Sequence, residues 1–353
     1  MPEKKRNRII QEDLEFITDC LLPWENLEGK TILISGAGGF LPAYMVETLM
    51  FLNETRFKTP VKVIGIIRNP EKARERFAYY QGSKDLVLIQ GDISENCIID
   101  EPIHYIIHAA SQASPKYFGI DPVGTLLPNC IGTFHLLNLA RSNPLESFLF
   151  FSSGEVYGEP DPVKIPMKET DYGYVDPAVV RSCYGESKRM GETMCIAWNH
   201  QYGVPAKIAR PFHTYGPCMK LDDGRVFADF VADVVNNRDI VMKSDGSAIR
   251  PFCYLADATA GFFTVLLKGV SGEAYNVGNQ DAEICIKELA DMMTTLFPDK
   301  KLKVIPFSPE KNKNYLKSNI SRNCPEISKI KMLGWKPHYS VKEGFKRTVL
   351  SYL

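Results

Sequence analysis

The sequence predicts an α/β protein whose core is a doubly wound parallel sheet, with a smaller lobe formed by its C-terminal part. Two observations lead to this prediction. Short apolar segments alternate with helical patterns through the first half of the chain, an order that is typical of parallel sheets flanked by helices. A glycine-containing turn follows the first apolar segment directly and opens the first helix of that alternation, as expected of a tight strand-to-helix connection.

Five of the apolar segments are predicted to be strands. Each is short, and most are bounded by glycine, proline, asparagine or aspartate, the residues that favour turns. The predicted strands are residues 31–35, 61–67, 86–90, 105–108 and 148–152.

The spacing of apolar residues predicts the helices between these strands. An N-terminal helix is expected within residues 9–22, ending before Pro23, because proline cannot continue a helix. The other predicted helices are residues 43–52, 70–80 and 126–141. The basic cluster before the first helix is interpreted as a solvated tail; it consists of Lys4, Lys5, Arg6 and Arg8.

Beyond about residue 216 the alternation of strands and helices becomes less regular. Shorter helical patterns and Pro- and Gly-rich loops predict a lobe that covers the carboxyl edge of the sheet. We therefore expect an N-terminal helical extension (1–28), a Rossmann domain (29–215) that also receives segments from the C-terminal part, and a lobe (216–353) that mainly binds substrate.

Composition excludes several classes of protein. The chain has 353 residues, with 42 Lys and Arg against 42 Asp and Glu, and zero net charge gives no reason to expect nucleic acid. No apolar run reaches the roughly 18 residues of a membrane span, and the N-terminus lacks a signal-peptide pattern. The nine cysteines are scattered without a C-x-x-C pair, which predicts reduced thiols, no metal site and a cytoplasmic location.

Gly36, Gly39 and Pro42 stand three residues apart between the first strand and the first helix. Glycines at this point allow a tight turn and let backbone N–H groups approach a pyrophosphate at the helix N-terminus. The turn therefore predicts a dinucleotide site, with Phe40 and Leu41 among its contacts. Pro42 stands where a third glycine is usual, and proline suits the first turn of a helix.

The end of the second strand leaves two interpretations of the cofactor open. An acid that binds the adenosine ribose is usual there, but this chain has Arg68 and Asn69. Arg68 either pairs with the 2′-phosphate of NADP or stacks on the adenine of NAD. Asp92, after the third strand, is a predicted acceptor for the adenine amino group. Further predicted cofactor contacts are Ile93, Ala109, Ala110 and Ser111.

Tyr184 and Lys188 are four residues apart, which places them on one face of a helix. A nearby ammonium lowers the pKa of a phenol from about 10, so that the phenolate can accept a proton from a sugar hydroxyl while hydride leaves the same carbon. Ser153, at the end of the fifth strand, is placed to hydrogen-bond the same oxygen. The three residues predict oxidation of an alcohol with a nicotinamide dinucleotide.

With these residues in place, the chain resembles the extended short-chain dehydrogenases/reductases of the NAD-dependent epimerase/dehydratase family, which act on nucleotide sugars. The resemblance covers about residues 29–353 and is greatest to the UDP-glucuronate decarboxylases. The matching stretches are 108–111, 113–115, 121–123, 129, 132–133, 155–158, 183–184, 188–189, 192–195, 223–226 and 250–252, with 275–279 and 333–335 common to the wider group.

The resemblance implies roles for individual residues. Ser153, Tyr184 and Lys188 match the catalytic triad, and Glu155 matches an active-site glutamate of decarboxylases and 4,6-dehydratases. On the substrate side, Arg225 matches a residue that holds the nucleotide diphosphate, and Arg250 one near the acidic end of the substrate; Tyr117 and His213 are further candidates. The resemblance also implies tightly bound, recycled NAD or NADP, a UDP-sugar substrate and a homodimer formed by helices 126–141 and 184–198. These helices carry more apolar residues than one face against a sheet requires, and the residues expected in the interface are Leu136, Leu137, Met190, Met194 and Trp198.

Two departures from the family pattern keep alternatives open. Gly154 stands where decarboxylases carry serine and 4,6-dehydratases carry an acid, and loss of that acid argues against dehydration. His213 stands where asparagine is usual. Oxidative decarboxylation of a nucleotide-glucuronate is the first hypothesis. The second is 4-epimerisation, for which the small Gly154 would leave room for the sugar to turn. A non-catalytic dinucleotide-binding scaffold is disfavoured, because the chain keeps Ser153, Tyr184 and Lys188 together.

Overall fold

The computed structural model describes residues 6–95, 99–307 and 321–353. Within them, a seven-stranded parallel sheet confirms the predicted α/β class. The strands are β1 (Thr31–Ser35), β2 (Lys62–Ile67), β3 (Leu86–Gln90), β4 (Tyr105–His108), β5 (Ser147–Phe151), β6 (Ala206–Pro211), β7 (Thr214–Tyr215), β8 (Ile240–Val241), β9 (Ile249–Pro251), β10 (Cys253–Tyr254), β11 (Ala274–Val277), β12 (Glu283–Cys285) and β13 (Val304–Ile305).

Helices cover both faces of this sheet. They are α1 (Arg8–Asp19), α2 (Phe40–Thr55), α3 (Pro70–Arg76), α4 (Pro122–Leu127), α5 (Thr133–Arg141), α6 (Ser182–Tyr202), α7 (Val226–Val235), α8 (Leu255–Lys268), α9 (Ile286–Leu296), α10 (Ser328–Lys331) and α11 (Val341–Leu350). The predicted helix 126–141 is interrupted by a π-helical turn, Pro128–Gly132. Proline has no N–H to donate to the preceding turn, so a regular helix does not continue through Pro128. Among the described helices, none is long and apolar enough to cross a membrane.

The strand order β11-β6-β5-β4-β1-β2-β3 determines where ligands bind. The chain adds β2 and β3 on one side of β1, and then returns to add β4, β5 and β6 on the other side. Ligands of open α/β sheets bind at the carboxyl ends of the strands, at this point of reversal. The ends of β1 and β4 therefore lie at the centre of the expected site. The edge strand β11 pairs with β6, so a segment from beyond residue 216 completes the sheet.

The N-terminal extension packs against the body of the protein. α1 contacts α2 and α8, and the buried carboxylate of Asp13 accepts hydrogen bonds from Tyr44 (3.0 Å), Tyr254 (2.8 Å) and Arg347 (2.7 Å). The prediction of a solvated tail is wrong for Arg6, which donates to the Glu54 carboxylate at 2.9 Å. It holds for Arg8, which is exposed; Lys4 and Lys5 lie outside the described residues.

Candidate active site

A cavity of about 390 Å³ opens at the carboxyl ends of the strands, between the sheet and the C-terminal lobe. That volume is within the range of small-molecule sites. Twelve of the predicted catalytic, cofactor-binding and substrate-binding residues line it: Gly39, Phe40, Leu41, Ala109, Ser111, Ser153, Glu155, Tyr184, Lys188, His213, Arg225 and Arg250. The structure thus places the predicted dinucleotide turn, the Ser-Tyr-Lys set and the lobe arginines around one space.

The turn after β1 has the shape that a dinucleotide requires. Gly36 has φ +69°, and a Cβ at this position would lie 2.7 Å from the Cα of Ala110, so the two segments approach too closely for a side chain. Gly39 is the N-cap of α2. The Oγ of Ser111 is buried without a hydrogen-bond partner among the described residues. Free N–H groups at the helix start and an unsatisfied hydroxyl fit a bound NAD(P).

Several predicted cofactor residues lie away from this cavity. Arg68 lines a separate shallow cavity with Asn69, Arg74 and Gln90. Neither Asp92 nor Ile93 lines the main cavity: an Oδ1 of Asp92 accepts the N–H of Ser94 at 2.9 Å, and Ile93 is buried. The predicted cofactor residues are therefore divided between the main cavity, the cavity at Arg68 and positions, among them Asp92 and Ile93, that line neither.

On the substrate side, Tyr117 does not line the main cavity. Its ring lies under the ammonium of Lys116, 5.2 Å from the ring centroid. The next residue, Phe118, does line the cavity and stacks on Tyr184, with ring centroids 4.9 Å apart and planes at 15°. The aromatic contact is thus displaced by one residue from the predicted one.

Tyr184 and Lys188 project from the face of α6 that packs on the end of β5. Lys188 is 2 % exposed, and its Nζ donates to the carbonyl oxygen of Phe151 at 2.6 Å. That Nζ lies 5.7 Å from the centroid of the Tyr184 ring. The Oγ of Ser153, two residues after β5, accepts the N–H of Glu155 at 3.2 Å and lies near enough to Tyr184 to influence its pKa.

Burial dominates the protonation of both groups. It raises the pKa of Tyr184 to about 12, against a smaller lowering by the nearby hydroxyl of Ser153. Burial lowers the pKa of Lys188 to about 7, although Glu192 acts in the opposite direction. The predicted lowering of the phenol pKa by the ammonium is therefore not found. The reason is that desolvation of each charged form outweighs their attraction at this separation.

Glu155 lies next to an arginine that the sequence analysis did not single out. Arg181, at the N-cap of α6, approaches the Glu155 carboxylate at 3.4 Å and lines the cavity. Its guanidinium also lies 5.6 Å from the centroid of the Phe118 ring. Arg181 belongs to no local motif, and its role depends on the fold of the loop before α6, so spacing gave no signal for it.

Gly154 does not create free space for a sugar. A Cβ at this position would meet the ring of Phe212 at 2.8 Å, so that ring already occupies the volume that a side chain would take. The expectation that Gly154 leaves room for a turning sugar is therefore not met. The glycine instead allows Phe212 to pack against the turn between Ser153 and Glu155.

His213 lies among cations in the wall formed by the lobe. Its φ is +29°, an uncommon value for a residue other than glycine. Burial lowers the pKa of His213 to about 3, with smaller contributions from Arg250 and Arg225, so the ring is neutral at physiological pH. Arg225 pairs with Asp223, and Nη1 of Arg250 donates to the carbonyl oxygen of Ile249 at 2.8 Å. The lobe thus presents two guanidinium groups and one neutral imidazole.

The chain shares its sequence pattern with a known family. The model of the NAD dependent epimerase/dehydratase family matches residues 32–278. UDP-glucuronic acid decarboxylase 6 of Arabidopsis thaliana is 34% identical over 315 residues, which are 89% of this chain and 86% of the relative. UDP-glucuronic acid decarboxylase 1 of Danio rerio is 32% identical over 322 residues, or 91% of this chain and 72% of the relative.

Solved structures share the fold. A UDP-glucose 4-epimerase from Thermotoga maritima, in complex with UDP-glucose, has a TM-score of 0.76 at 23% identity, covering 91% of this chain and 98% of that chain. A UDP-glucuronic acid 4-epimerase from Bacillus cereus, in complex with UDP-glucuronic acid and NAD, has a TM-score of 0.73 at 21% identity, with coverage of 91% and 98%.

Replacing Tyr184 with phenylalanine tests the central group of the site. We expect turnover to fall by roughly 10²-fold or more, because general-base catalysis is lost while the ring that stacks on Phe118 is kept. Bound dinucleotide, measured by absorbance after denaturation, should be retained. Tyr79→Phe, at an exposed tyrosine that does not line the cavity, is the matched control and should keep wild-type turnover. Near-normal turnover of Tyr184→Phe would contradict the assignment.

Proposed function

The chain belongs to the NAD-dependent epimerase/dehydratase family, and on that premise we propose that it oxidatively decarboxylates a UDP-linked glucuronate. The enzyme modifies a nucleotide sugar with bound NAD(P). One observation supports this choice of reaction above the others. The cavity that contains Ser153, Tyr184 and Lys188 is also lined by three arginines, Arg181, Arg225 and Arg250, against two carboxylates, Glu155 and Asp245.

The charges of the cavity suit a substrate with several negative groups. A UDP-glucuronate carries a diphosphate and a carboxylate, and guanidinium groups bind both in planar, often bidentate geometry. Arg225, beside the neutral His213, is assigned to the diphosphate, and Arg250 to the acidic end of the substrate, as the resemblance implies. Arg181 is assigned to the sugar, because it lies next to Glu155 and to Phe118, which stacks on Tyr184. It also offsets the repulsion that Glu155 alone would exert on a uronate.

In the proposed reaction, the phenolate of Tyr184 accepts the proton of the sugar C4 hydroxyl, and Ser153 hydrogen-bonds the same oxygen. Because burial raises the pKa of Tyr184 to about 12, the positive charges of Lys188 and of a bound nicotinamide would have to stabilise that phenolate. Bound NAD(P) supplies the hydride acceptor for C4 and later the hydride donor. Oxidation at C4 makes the C6 carboxylate that of a β-keto acid. When the C5–C6 bond breaks, its electron pair passes to an enolate at C4 and carbon dioxide leaves. The enolate then takes a proton from water at C5, and Tyr184 returns its proton to the C4 oxygen when the bound cofactor would give its hydride back to C4; the product is a UDP-pentose.

Neither alternative reaction has an observation in its favour. Dehydration needs a proton donor for the departing hydroxyl, and Gly154 supplies no side chain. Epimerisation would have gained from open space at Gly154, which the Phe212 ring takes up. A scaffold without chemistry has no need of Ser153, Tyr184 and Lys188 on a common cavity.

We also propose that Arg68 selects NADP, with help from Arg74. Both line the second cavity, next to Asn69 and Gln90, and no acid ends β2 to bind the ribose hydroxyls. Asn69 is fixed by accepting the N–H of Lys72 at 2.9 Å. Glu71 lines the same cavity, and its negative charge would repel a 2′-phosphate. Both guanidinium groups are therefore needed to bind that phosphate. A charge-assisted pair with a 2′-phosphate is worth on the order of 1.5–3 kcal/mol.

A dimer is the proposed quaternary state, formed by the helices α4, α5 and α6. Leu136 and Leu137, which the sequence predicts to lie in this interface, are instead buried in the core and cannot contact a second copy. Met194 and Trp198 pack partly against the same core. Other apolar side chains of the three helices and the turn between them are exposed: Leu127, Ile131, Phe134, Met190 and Ile196. An apolar face of this kind favours a self-complementary contact between two copies.

A cytoplasmic location is proposed from the cysteines. The eight that the structure describes are all unpaired, which is typical of proteins in a reducing compartment.

The reaction is tested by incubating the purified enzyme with UDP-glucuronate, UDP-glucose and UDP-galactose and measuring product masses. We expect a loss of about 44 mass units from UDP-glucuronate and no mass change in the other two. A loss of about 18 units would mean dehydration, and an unchanged mass with a new retention time would mean epimerisation (nominal masses of carbon dioxide and water, from elementary chemistry). Either result with UDP-glucuronate would overturn the proposal.

Cofactor choice is tested by stripping the enzyme and titrating NAD and NADP separately. Arg68→Ala and Arg74→Ala should each weaken NADP binding about ten- to a hundredfold and leave NAD binding almost unchanged. Arg238→Ala, an exposed arginine outside both cavities, is the control. If wild type binds NAD far more tightly and Arg68→Ala does not weaken NADP binding, Arg68 is only a surface arginine.

Light scattering tests the dimer. At micromolar concentration the protein should have about twice the 39.8 kDa of one chain, and Phe134→Glu should shift it to monomer because a charge on an apolar contact is costly to bury. A wild-type monomer at that concentration would contradict the proposal.

A further inference from the structure

A third residue of α6 meets the end of β5 on the same face as Tyr184 and Lys188. Glu192 follows Lys188 by four residues, as Lys188 follows Tyr184, so the three lie along one side of the helix. Its Oε1 accepts a hydrogen bond of 2.5 Å from the Oγ of Ser152. Two successive residues at the end of β5 are therefore held by successive turns of α6: the Phe151 carbonyl by Lys188 and the Ser152 hydroxyl by Glu192. Ser153, the next residue, faces Tyr184 across the cavity that both line.

Glu192 is itself fixed from behind by Arg210 of β6. Nε and Nη2 of Arg210 donate to the two carboxylate oxygens at 2.8 and 2.6 Å, and Arg210 is 2 % exposed. Its Nη1 donates to the hydroxyl of Tyr157 at 2.8 Å. Three donors thus fix the carboxylate, and it cannot follow Lys188 or Ser152 if either moves. Because the pair is buried and rigid, it holds the Ser152 hydroxyl at a fixed place and does not adjust to a displacement of it.

We propose that Glu192 is a positioning residue of the reaction, which holds Ser152 and hence Ser153 in place and sets a negative charge one helical turn from the ammonium of Lys188. Glu192 touches neither the cavity nor the reacting atoms. It acts through its hydrogen bond to Ser152 and through the electrostatic attraction of its carboxylate for Lys188. The effect on catalysis rests on the proposed function, because that function requires a cationic Lys188 near Tyr184.

The surroundings of Lys188 show why it needs this carboxylate. The titratable groups that face it from the packed elements are Cys130 in the turn after α4, Tyr184, Glu192 and Cys195 on α6, and His108 on β4. His108 is buried and its pKa is lowered to about 3, and the thiol pKa values of Cys130 and Cys195 are raised by burial. These groups are neutral near pH 7, so Glu192 provides the negative charge among them.

The experiment compares Glu192→Gln with wild type through the pH dependence of kcat. Glutamine keeps the length and an acceptor for Ser152 but removes the charge. Lys188 is active as a cation below its pKa, and loss of the carboxylate lowers that pKa. The alkaline limb of the profile should therefore move to lower pH by about one unit. We expect kcat at pH 7.5 to fall about tenfold, part of the 10²–10⁴-fold that acid–base catalysis contributes, with KM changed by less than about twofold.

Two other variants separate the charge from the contacts. Ser152→Ala removes the hydrogen bond and keeps the charge, so kcat should fall while the alkaline limb stays at its wild-type pH. Glu186→Gln is the matched control, because Glu186 is on the same helix but pairs with Arg189 away from the cavity; its profile should be that of wild type. A Glu192→Gln profile with an unmoved alkaline limb would overturn the proposal.

Loss of the charge opposite Arg210 risks unfolding, so Glu192→Asp is measured as well. Aspartate keeps the charge but shortens the reach to Ser152, and we expect a lower kcat with the wild-type limb; a shifted limb would count against the proposal. Rates are followed with whichever UDP-sugar the wild-type enzyme converts. If the wild-type enzyme converts a UDP-sugar without releasing carbon dioxide, decarboxylation is refuted. The role of Glu192 is then still tested by the alkaline limbs of the kcat profiles of the variants.

Discussion

The ammonium of Lys188 is almost fully buried at the end of a central strand, where it donates to the carbonyl oxygen of Phe151 at 2.6 Å. Burying a charge is costly unless partners compensate it. The surrounding structure supplies them: a strand end with a free carbonyl, a helix that returns across it, and a carboxylate one turn further along. The contact between Lys188 and Phe151 connects α6 to the end of β5, one turn of the helix from Tyr184.

The same network connects the sheet to the C-terminal part of the chain. Arg210, paired with Glu192, donates to Tyr157, whose hydroxyl donates to Oδ1 of Asn276 at 2.6 Å. Asn276 lies in β11, the edge strand that comes from beyond residue 216, and its N–H donates to the Glu169 carboxylate at 2.8 Å. The edge strand β11 is therefore attached to α6 through buried polar groups, which tolerate little displacement.

The parts of this arrangement that sequence predicts are those with a local signal. β1, β3 and β4 have the predicted bounds, because buried parallel strands are short apolar runs ended by turn residues. The break at Pro128 was missed, since the apolar spacing continues through it. In the site, the spacing of Tyr184 and Lys188 is a local feature of one helix and was predicted.

The residues that sequence analysis missed depend on distances between elements. Arg181 approaches Glu155 only because the loop before α6 folds back to the end of β5. Phe118 rather than Tyr117 faces Tyr184, a difference of one residue that spacing does not resolve. Leu136 and Leu137 face the core, whereas Phe134 faces outward. The packing of the helices on the sheet determines which apolar side chains are buried and which are exposed, and the sequence alone does not show that packing.

Gly154 connects the local structure to the outcome of the proposed reaction. Once C4 is oxidised, the groups able to leave are a hydroxyl, which needs an acid beside it, and a carboxylate, which needs only the neighbouring ketone to accept electrons. The turn after β5 offers no acid at residue 154, and the Phe212 ring fills the volume where one would project. Under the proposed function, the packing of Phe212 against Gly154 therefore favours loss of carbon dioxide, because it leaves neither an acid at residue 154 for dehydration nor open space there for epimerisation.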